Sequence, residues 1–195
     1  MDTAFPNGGA DARVTVERYR VLIDERVLEP DDRVELLDGV VVSMAPQDPR
    51  HAGVTHRVAK VLRCAIGTRA DVREDKPVVL SPFSMPEPDV AVVAADPSDY
   101  VTAHPRTAML IVEVAHSSLP QDRITKARIY ASAGIPEYWI VNLRNDRIEE
   151  HRSPDVGARS YAEVVNVGAG ERLRLVALPD IEIAAADLLP PPGTA

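Results

Sequence analysis

A chain of 195 residues is long enough to bury a substantial hydrophobic core, so neither a disulfide nor a structural metal is needed to hold it together. The composition, 45% hydrophobic and 27% charged, excludes wholesale disorder, and the single cysteine, Cys64, excludes both an internal disulfide and a Cys-type zinc centre. A formal charge of −8 argues against a protein that coats nucleic acid, because phosphate affinity comes largely from Lys and Arg, but it leaves room for an enzyme that meets nucleic acid along one local groove.

The N-terminus, Met1-Asp2-Thr3-Ala4-Phe5-Pro6, has no basic patch followed by an apolar run, so a secretory signal is not expected. No stretch is apolar for long enough to suggest a membrane span. A cytoplasmic setting is the expectation, in keeping with the lone cysteine. Residues 1–13 read as a disordered leader, 14–189 as one domain and 190–195 as a disordered tail.

Thr15 is placed to cap a helix running to about Leu28, with Val16, Tyr19, Leu22 and Ile23 at helical spacing. Val34–Leu37, the Asp38-Gly39 pair and Val40–Met44 predict a β-hairpin, since Asp-Gly accepts the positive φ of a two-residue turn. A second helix is expected over Arg50–Ile66, with Val54, Val58, Val61, Leu62, Ala65 and Ile66 as its apolar face. Residues 50–76 hold 3 acids and 7 bases, against 11 acids and 5 bases in residues 1–49. This makes the second helix a local basic region: Arg50, His56, Arg57, Lys60 and Arg63 are candidates for nucleic-acid contact, or simply a solvated face.

Val78–Leu80, Asp89–Val93 and Met109–Ala115 then read as strands. A helix over Pro120–Ala133 is closed by Gly134 and Pro136, and a strand follows over Glu137–Leu143. Asn145-Asp146 reads as a turn, and shorter strands are expected near 147–152, 160–167 and 172–178. From Pro179 onward a short strand or helix leads into the Pro-rich tail. The order predicts an α/β class protein with an α+β mixed sheet, not a doubly wound one.

Two acids interrupt apolar strands: Asp89 after Pro88, and Glu113 within Leu110-Ile111-Val112-x-Val114. A carboxylate buried there is costly unless it is paired or bound to a cation. For each taken alone, a residue on a polar face or one paired with Arg is the plainer reading. Taken together, two converging strand acids suit a hard divalent cation, which activates water and steadies phosphoryl-transfer charge. Lys126 lies on the next helix, on one face with Asp122 and Tyr130, and by spacing alone a surface ion pair with Asp122 is the plainer reading. Glu35 reads equally as an exposed hairpin residue facing Arg33. His51 shares a helix face with Val54 and Val58 and points inward, and a packed core histidine accounts for it as well as a site role does. His104, His116 and His151 read as loop or edge residues, and Tyr138 and Trp139 as packing residues. Ser117 and Ser118 lack the turn of a serine nucleophile.

Pro88-Asp89, Ile111-Val112-Glu113-Val114 and Asp122-x-x-x-Lys126-x-x-x-Tyr130 resemble the PD-(D/E)XK nuclease superfamily. Glu35-Leu36-Leu37-Asp38-Gly39, Met44-Ala45-Pro46, His51 and Ala133 through Val141 resemble, more narrowly, the Uma2 family of restriction-endonuclease-like proteins, over about Thr15 to Leu178. The resemblance implies a restriction-endonuclease-like core with flanking helices and extra C-terminal strands. It also implies a catalytic set of Glu35, Asp89, Glu113 and Lys126, with Mg²⁺ or Mn²⁺ on Asp89, Glu113 and the Val114 carbonyl. His51, Asp122 and Tyr130 would support that set. The superfamily's usual lysine position, two residues after the acid, is Ala115 here, and Lys126 on the following helix takes its place. The function this implies is metal-dependent endonucleolytic hydrolysis of DNA. One alternative is a catalytically silent binding or assembly protein of a defence or mobile-element system, and another is hydrolysis of a small phosphate-containing substrate. The alternating strands over 147–178 suit pairing with a second copy, so a homodimer is expected.

Overall fold

The computed structural model describes residues 13–29 and 32–191. The leader expected over 1–13 lies outside these residues apart from Arg13, as does the tail expected over 190–195 apart from Pro190 and Pro191.

The first helix, α1, spans Val16–Asp24 and is capped by Thr15, whose hydroxyl accepts from the Arg18 N–H. It stops short of Leu28 because Arg26 turns left-handed (φ 55°) and the Val27 N–H bonds back to the Leu22 carbonyl, closing the helix end. The hairpin forms as its sequence predicts: β1, Val34–Leu37, pairs antiparallel with β2, Val40–Ser43. Asp38 and Gly39 both take positive φ at the turn. A Cβ on Gly39 would stand 2.4 Å from the Arg13 Cβ, so glycine is needed there for space as well as for conformation.

The long helix α2, Pro49–Ile66, starts from an Asp48 cap with proline at its first position. The central sheet has six strands in the order β3-β4-β5-β6-β7-β8. These are Ala70–Glu74, Val90–Ala94, Leu110–Ala115, Glu137–Asn142, Arg147–Asp155 and Ser160–Val167. Neighbours are antiparallel except β5 and β6, which run parallel. A parallel pair needs a crossover, and it is supplied by α3 (Leu119–Gln121), a π-helical turn (Asp122–Lys126) and α4 (Ala127–Ser132). A small second sheet, β9 (Arg172–Arg174) with β10 (Glu182–Ala184), and α5 (Ala185–Leu188) complete the fold.

Strand alternation divides the core between the two faces of the sheet. Val90, Val92, Val112, Val114, Trp139 and Val141 pack with Val54, Val58, Leu62 and Ile66 of α2. Ala91, Val93, Ile111, Ala115, Tyr138 and Ile140 pack with Ile129 and Tyr130 of α4. By the same alternation Asp89 and Glu113 lie on the α4 face. In the hairpin Leu36 packs with Tyr19 of α1, whereas Leu37, on the same face as Glu35, joins the α4-side cluster.

Three strand expectations change. Val78–Leu80 is extended but bonds to the loop carbonyls of Pro86, Pro105 and Ser84 instead of joining the sheet. The unforeseen β3 is an edge strand whose Asp71, Arg73 and Glu74 hide it from a hydrophobic-pattern search, charge being how edges are protected from stray pairing. Of 172–178 only Arg172–Arg174 pairs, with β10.

Candidate active site

The loop Met44–Asp48, the end of β5 with the turn after it, and the crossover helix enclose a cleft of about 370 Å³. Its lining includes Glu35, Asp89, Glu113 and Lys126, together with His51 and Asp122. Five charged groups here, Glu35, Asp89, Glu113, Asp122 and Lys126, are only 1–6% exposed. Charges buried this deeply persist only when they compensate one another.

Lys126 is the centre of that compensation. Its Nζ donates to Glu113 Oε1 at 3.0 Å and stands 3.3 Å from Glu35 Oε1. It is therefore not a surface partner of Asp122, and Glu35 is not an exposed partner of Arg33. Burial alone would lower the lysine's proton affinity, but the carboxylates of Glu113, Glu35, Asp122 and Asp89 outweigh it and hold the ammonium charged well past its ordinary range. Glu113 also accepts from the Tyr130 hydroxyl at 2.5 Å. Glu35 Oε2 accepts the Glu87 backbone N–H at 3.2 Å. Asp89 Oδ2 accepts the Val114 N–H at 2.6 Å and lies 3.4 Å from His51 Nε2. Asp122 is held by the Ser118 hydroxyl at 2.7 Å.

The π-helical turn explains how Asp122 and Lys126 both point inward. At roughly 87° per residue, set by its i to i+5 bonding, four residues return nearly to the same azimuth, and such turns recur at functional positions. In a regular α-helix the two side chains would splay by about 40°.

Carboxylates outnumber cations in the cleft, and the titration of Glu113 and Asp122 reflects this. Burial, reinforced by Asp89, Asp122 and Glu35 and only partly offset by Lys126, pushes Glu113 well above the ordinary carboxylate range. Burial likewise raises Asp122 to about 6, against the opposing pull of Lys126 and Ser118. His51 is raised, the Asp89 carboxylate overcoming the effect of burial. Its Nδ1 is buried and has no hydrogen-bond partner among the described residues.

Among the described residues no three His, Cys, Asp or Glu side chains lie close enough to form a metal site by themselves. The donor set expected from the sequence needs only two, Asp89 and Glu113, plus the Val114 carbonyl. Asp89 Oδ1 and Glu113 Oε2 carry no hydrogen bond among the described residues. Two free oxygens on carboxylates surrounded by excess negative charge fit a hard, oxygen-preferring divalent cation that draws its remaining ligands from water and substrate.

The basic residues of α2 do not join this cleft. Arg50 pairs with Asp146 at 2.8 Å, Arg63 with Glu74 at 3.0 Å, and Arg57 donates to the Asp187 carbonyl at 2.6 Å. His56 stands 3.8 Å from Glu74. Lys60 lines a separate groove beside α5. His151 is not an edge residue: it is buried on β7 against Tyr138 and Tyr161.

Sequence reasoning missed Glu87, whose main chain holds Glu35, and Arg33, which lines the cleft mouth. It found no support for a site role of His116 beyond its nearness to the Glu113 strand; His116 lines the cleft and stands 3.2 Å from Asp48, the α2 cap. The Met44-Ala45-Pro46 motif beside Asp48 was the available signal for this wall.

A mixed sheet with a helical crossover, carrying buried acids beside β4 and on β5 and a helix-borne lysine, is a nuclease-like fold. The chain belongs to the Uma2 family, described as "Putative restriction endonuclease", which matches residues 16–186. The crystal structure of "a putative nuclease belonging to DUF820" from Anabaena variabilis has the same fold. It superposes with a TM-score of 0.72 at 12% identity, covering 90% of this chain and 97% of that one. No curated protein matches the sequence. No helix among the described residues is long and apolar enough to cross a membrane.

Proposed function

We propose that this protein is a metal-dependent endodeoxyribonuclease, one domain over residues 14–189, that hydrolyses phosphodiester bonds in the cytoplasm as a homodimer. The observation that carries the reading is the Lys126 ammonium, bridging Glu113 and Glu35 at the floor of a cleft that Asp89 also lines. Asp89, Glu113 and the Val114 carbonyl would hold Mg²⁺ or Mn²⁺, which when bound would supply Lewis-acid polarisation of the phosphoryl group and make water more acidic.

The chain's own groups do the rest. Lys126 orients the attacking water and offsets the charge that builds on the phosphoryl oxygens. Glu35, fixed by the Glu87 N–H, keeps the lysine pointed into the cleft and accepts a proton from the water. Tyr130 and Val114 fix the carboxylates of Glu113 and Asp89, which lowers the reorganisation needed during reaction. His51 stands by the same Asp89 oxygen, Oδ2, that accepts the Val114 N–H, and helps to orient it.

The test is incubation of the purified protein with plasmid and with single-stranded DNA, in Mg²⁺, in Mn²⁺ and in chelator, beside Asp89→Ala. Cleavage that needs metal and vanishes in Asp89→Ala supports the reading. Cleavage that survives in Asp89→Ala places the chemistry elsewhere. No cleavage in any condition favours the second reading, a binding or assembly protein of a defence or mobile-element system. The acid-rich lining of the cleft, which repels phosphate when no cation is bound, is the observation on that side.

A further inference from the structure

Building on the nuclease reading, we propose that the cleft admits one unpaired nucleic-acid strand instead of a duplex, and that Arg33 at its mouth grips the phosphate next to the scissile one.

The depth of the site is the first argument. The groups at its floor are only 1–6% exposed, and the cleft, at about 370 Å³, is at the small end of ligand-sized cavities. A duplex is stiff over a persistence length of about 150 base pairs, so bending it to follow the cleft costs free energy. A single strand bends freely at each phosphate.

Charge is the second. Duplex affinity is built from many phosphate contacts, roughly 6–10 for a tight binder. The basic residues of α2 offer no such track: Arg50, Arg57 and Arg63 are committed to acids or carbonyls of this chain, and Lys60 lines a groove apart from the cleft. Within the cleft Lys126 is held by two carboxylates. Arg33 is different: it is exposed, and among the described residues its guanidinium has no hydrogen bond and no ion pair. Its charge instead acts on Asp75 and Glu87.

The third argument is the path. Arg33, Met44, Pro46 and Gln47 line both the cleft and an adjoining groove of about 510 Å³. They form the lip between the two depressions. A strand leaving the cleft crosses this lip, its phosphate meeting Arg33 and its base or sugar resting on the apolar Met44 and Pro46. Stacking and apolar contact of this kind tolerate any sequence.

The experiment is fluorescence anisotropy on the full chain with a labelled single-stranded oligonucleotide and with its blunt duplex, in Ca²⁺, a hard divalent ion that offsets the acids of the cleft. Cleavage of the same two probes is followed in Mg²⁺. The single strand is expected to bind about tenfold more tightly than the duplex. Arg33→Ala weakens single-strand binding by about tenfold, as for one charge-assisted contact. It also reduces the salt slope by about 0.7, the value for one contact on a single strand, and Arg33→Lys restores that slope. Unchanged melting of Arg33→Ala shows that the loss is not misfolding. Duplex binding as tight as single-strand binding, no binding of either probe, or an unaltered Arg33→Ala overturns the proposal. An Arg33-dependent strand preference without cleavage of either probe supports it and sinks the nuclease reading alone.

Discussion

Lys126 Nζ lies 3.0 Å from Glu113 Oε1, with both side chains buried and the lysine arriving from the helix that follows the glutamate's own strand. The pair links the crossover to the sheet, so it bears on stability as well as on chemistry. Removing one partner of a buried ion pair leaves the other uncompensated, a loss of about 3–5 kcal/mol. Lys126→Met is therefore expected to lower unfolding stability by that order and to cut turnover at least about 100-fold, as loss of a preorganised charge does. Glu113→Gln combined with Lys126→Met should recover part of the stability and none of the turnover. Urea melts of the two variants beside wild type check this, and equal melting of the single and double variants would contradict it.

In the proposed reaction Tyr130 acts through Glu113, to which its hydroxyl donates. Its hydroxyl is fully buried and raised far above its ordinary range, by burial first and by Glu113 next, so it remains a donor at any working pH. Tyr130→Phe is expected to cost about 1–3 kcal/mol of stability and to weaken Mn²⁺ binding or activity by about 10–100-fold. Calorimetric Mn²⁺ titration is the deciding measurement, and a normal affinity in the variant would remove Tyr130 from the supporting set.

A second acidic pair lies on the α2 face of the sheet, between β6 and β7. Glu137 is completely buried, accepts from Trp139 Nε1 at 2.9 Å and from the Val176 N–H at 2.8 Å, and lies 3.3 Å from Arg152. Glu150, across the strand pair from Trp139, is raised to about 7. Burial is the main cause; Arg152 opposes it and Glu137 adds to it. A carboxyl whose proton affinity is higher in the folded than in the unfolded state costs stability above its folded value. The protein is therefore expected to gain stability as pH falls from above 7 toward 4.5, with Glu150→Gln more stable than wild type at pH 8 and less pH-dependent over that window. Denaturant midpoints at pH 8 and pH 5 test the sign, and a wild type that loses stability over this window through Glu150 would reverse it.

The outer edge of the sheet suits a second copy. β8 is eight residues long with one charged side chain, Glu163, and its Val164 and Val165 are half exposed on opposite faces. The opposite edge, β3, is shorter and charged, and its Val72 carbonyl is covered by Arg63. A long edge with a single charge invites pairing. Light scattering is expected to give twice the chain mass for wild type and a single chain for Val165→Lys, and a monomeric wild type would end the dimer reading.

Much of this molecule is written locally. Asp38-Gly39 determines the hairpin turn because few other pairs accept two positive φ angles, and the Asp48-Pro49 pair starts α2. Asp89 and Glu113 announce themselves because acids are out of place in strands of Val and Ile. Family resemblance in the sequence adds Glu35 and Lys126 to that pair, which spacing alone does not.

Tertiary structure decided how these residues combine. Whether Lys126 meets Asp122 or Glu113 depends on a π-helical turn and on where the crossover lands, and neither follows from i to i+4 spacing. The fate of the basic α2 residues was equally illegible, because their partners Asp146, Asp187 and Glu74 are distant in sequence or lie on another strand. So was the placement of Arg33, a rim cation without an ion pair among the described residues. Local preferences follow from a residue's own backbone and its near neighbours, whereas ion pairing and strand order depend on contacts between distant segments that exist only once the sheet has closed.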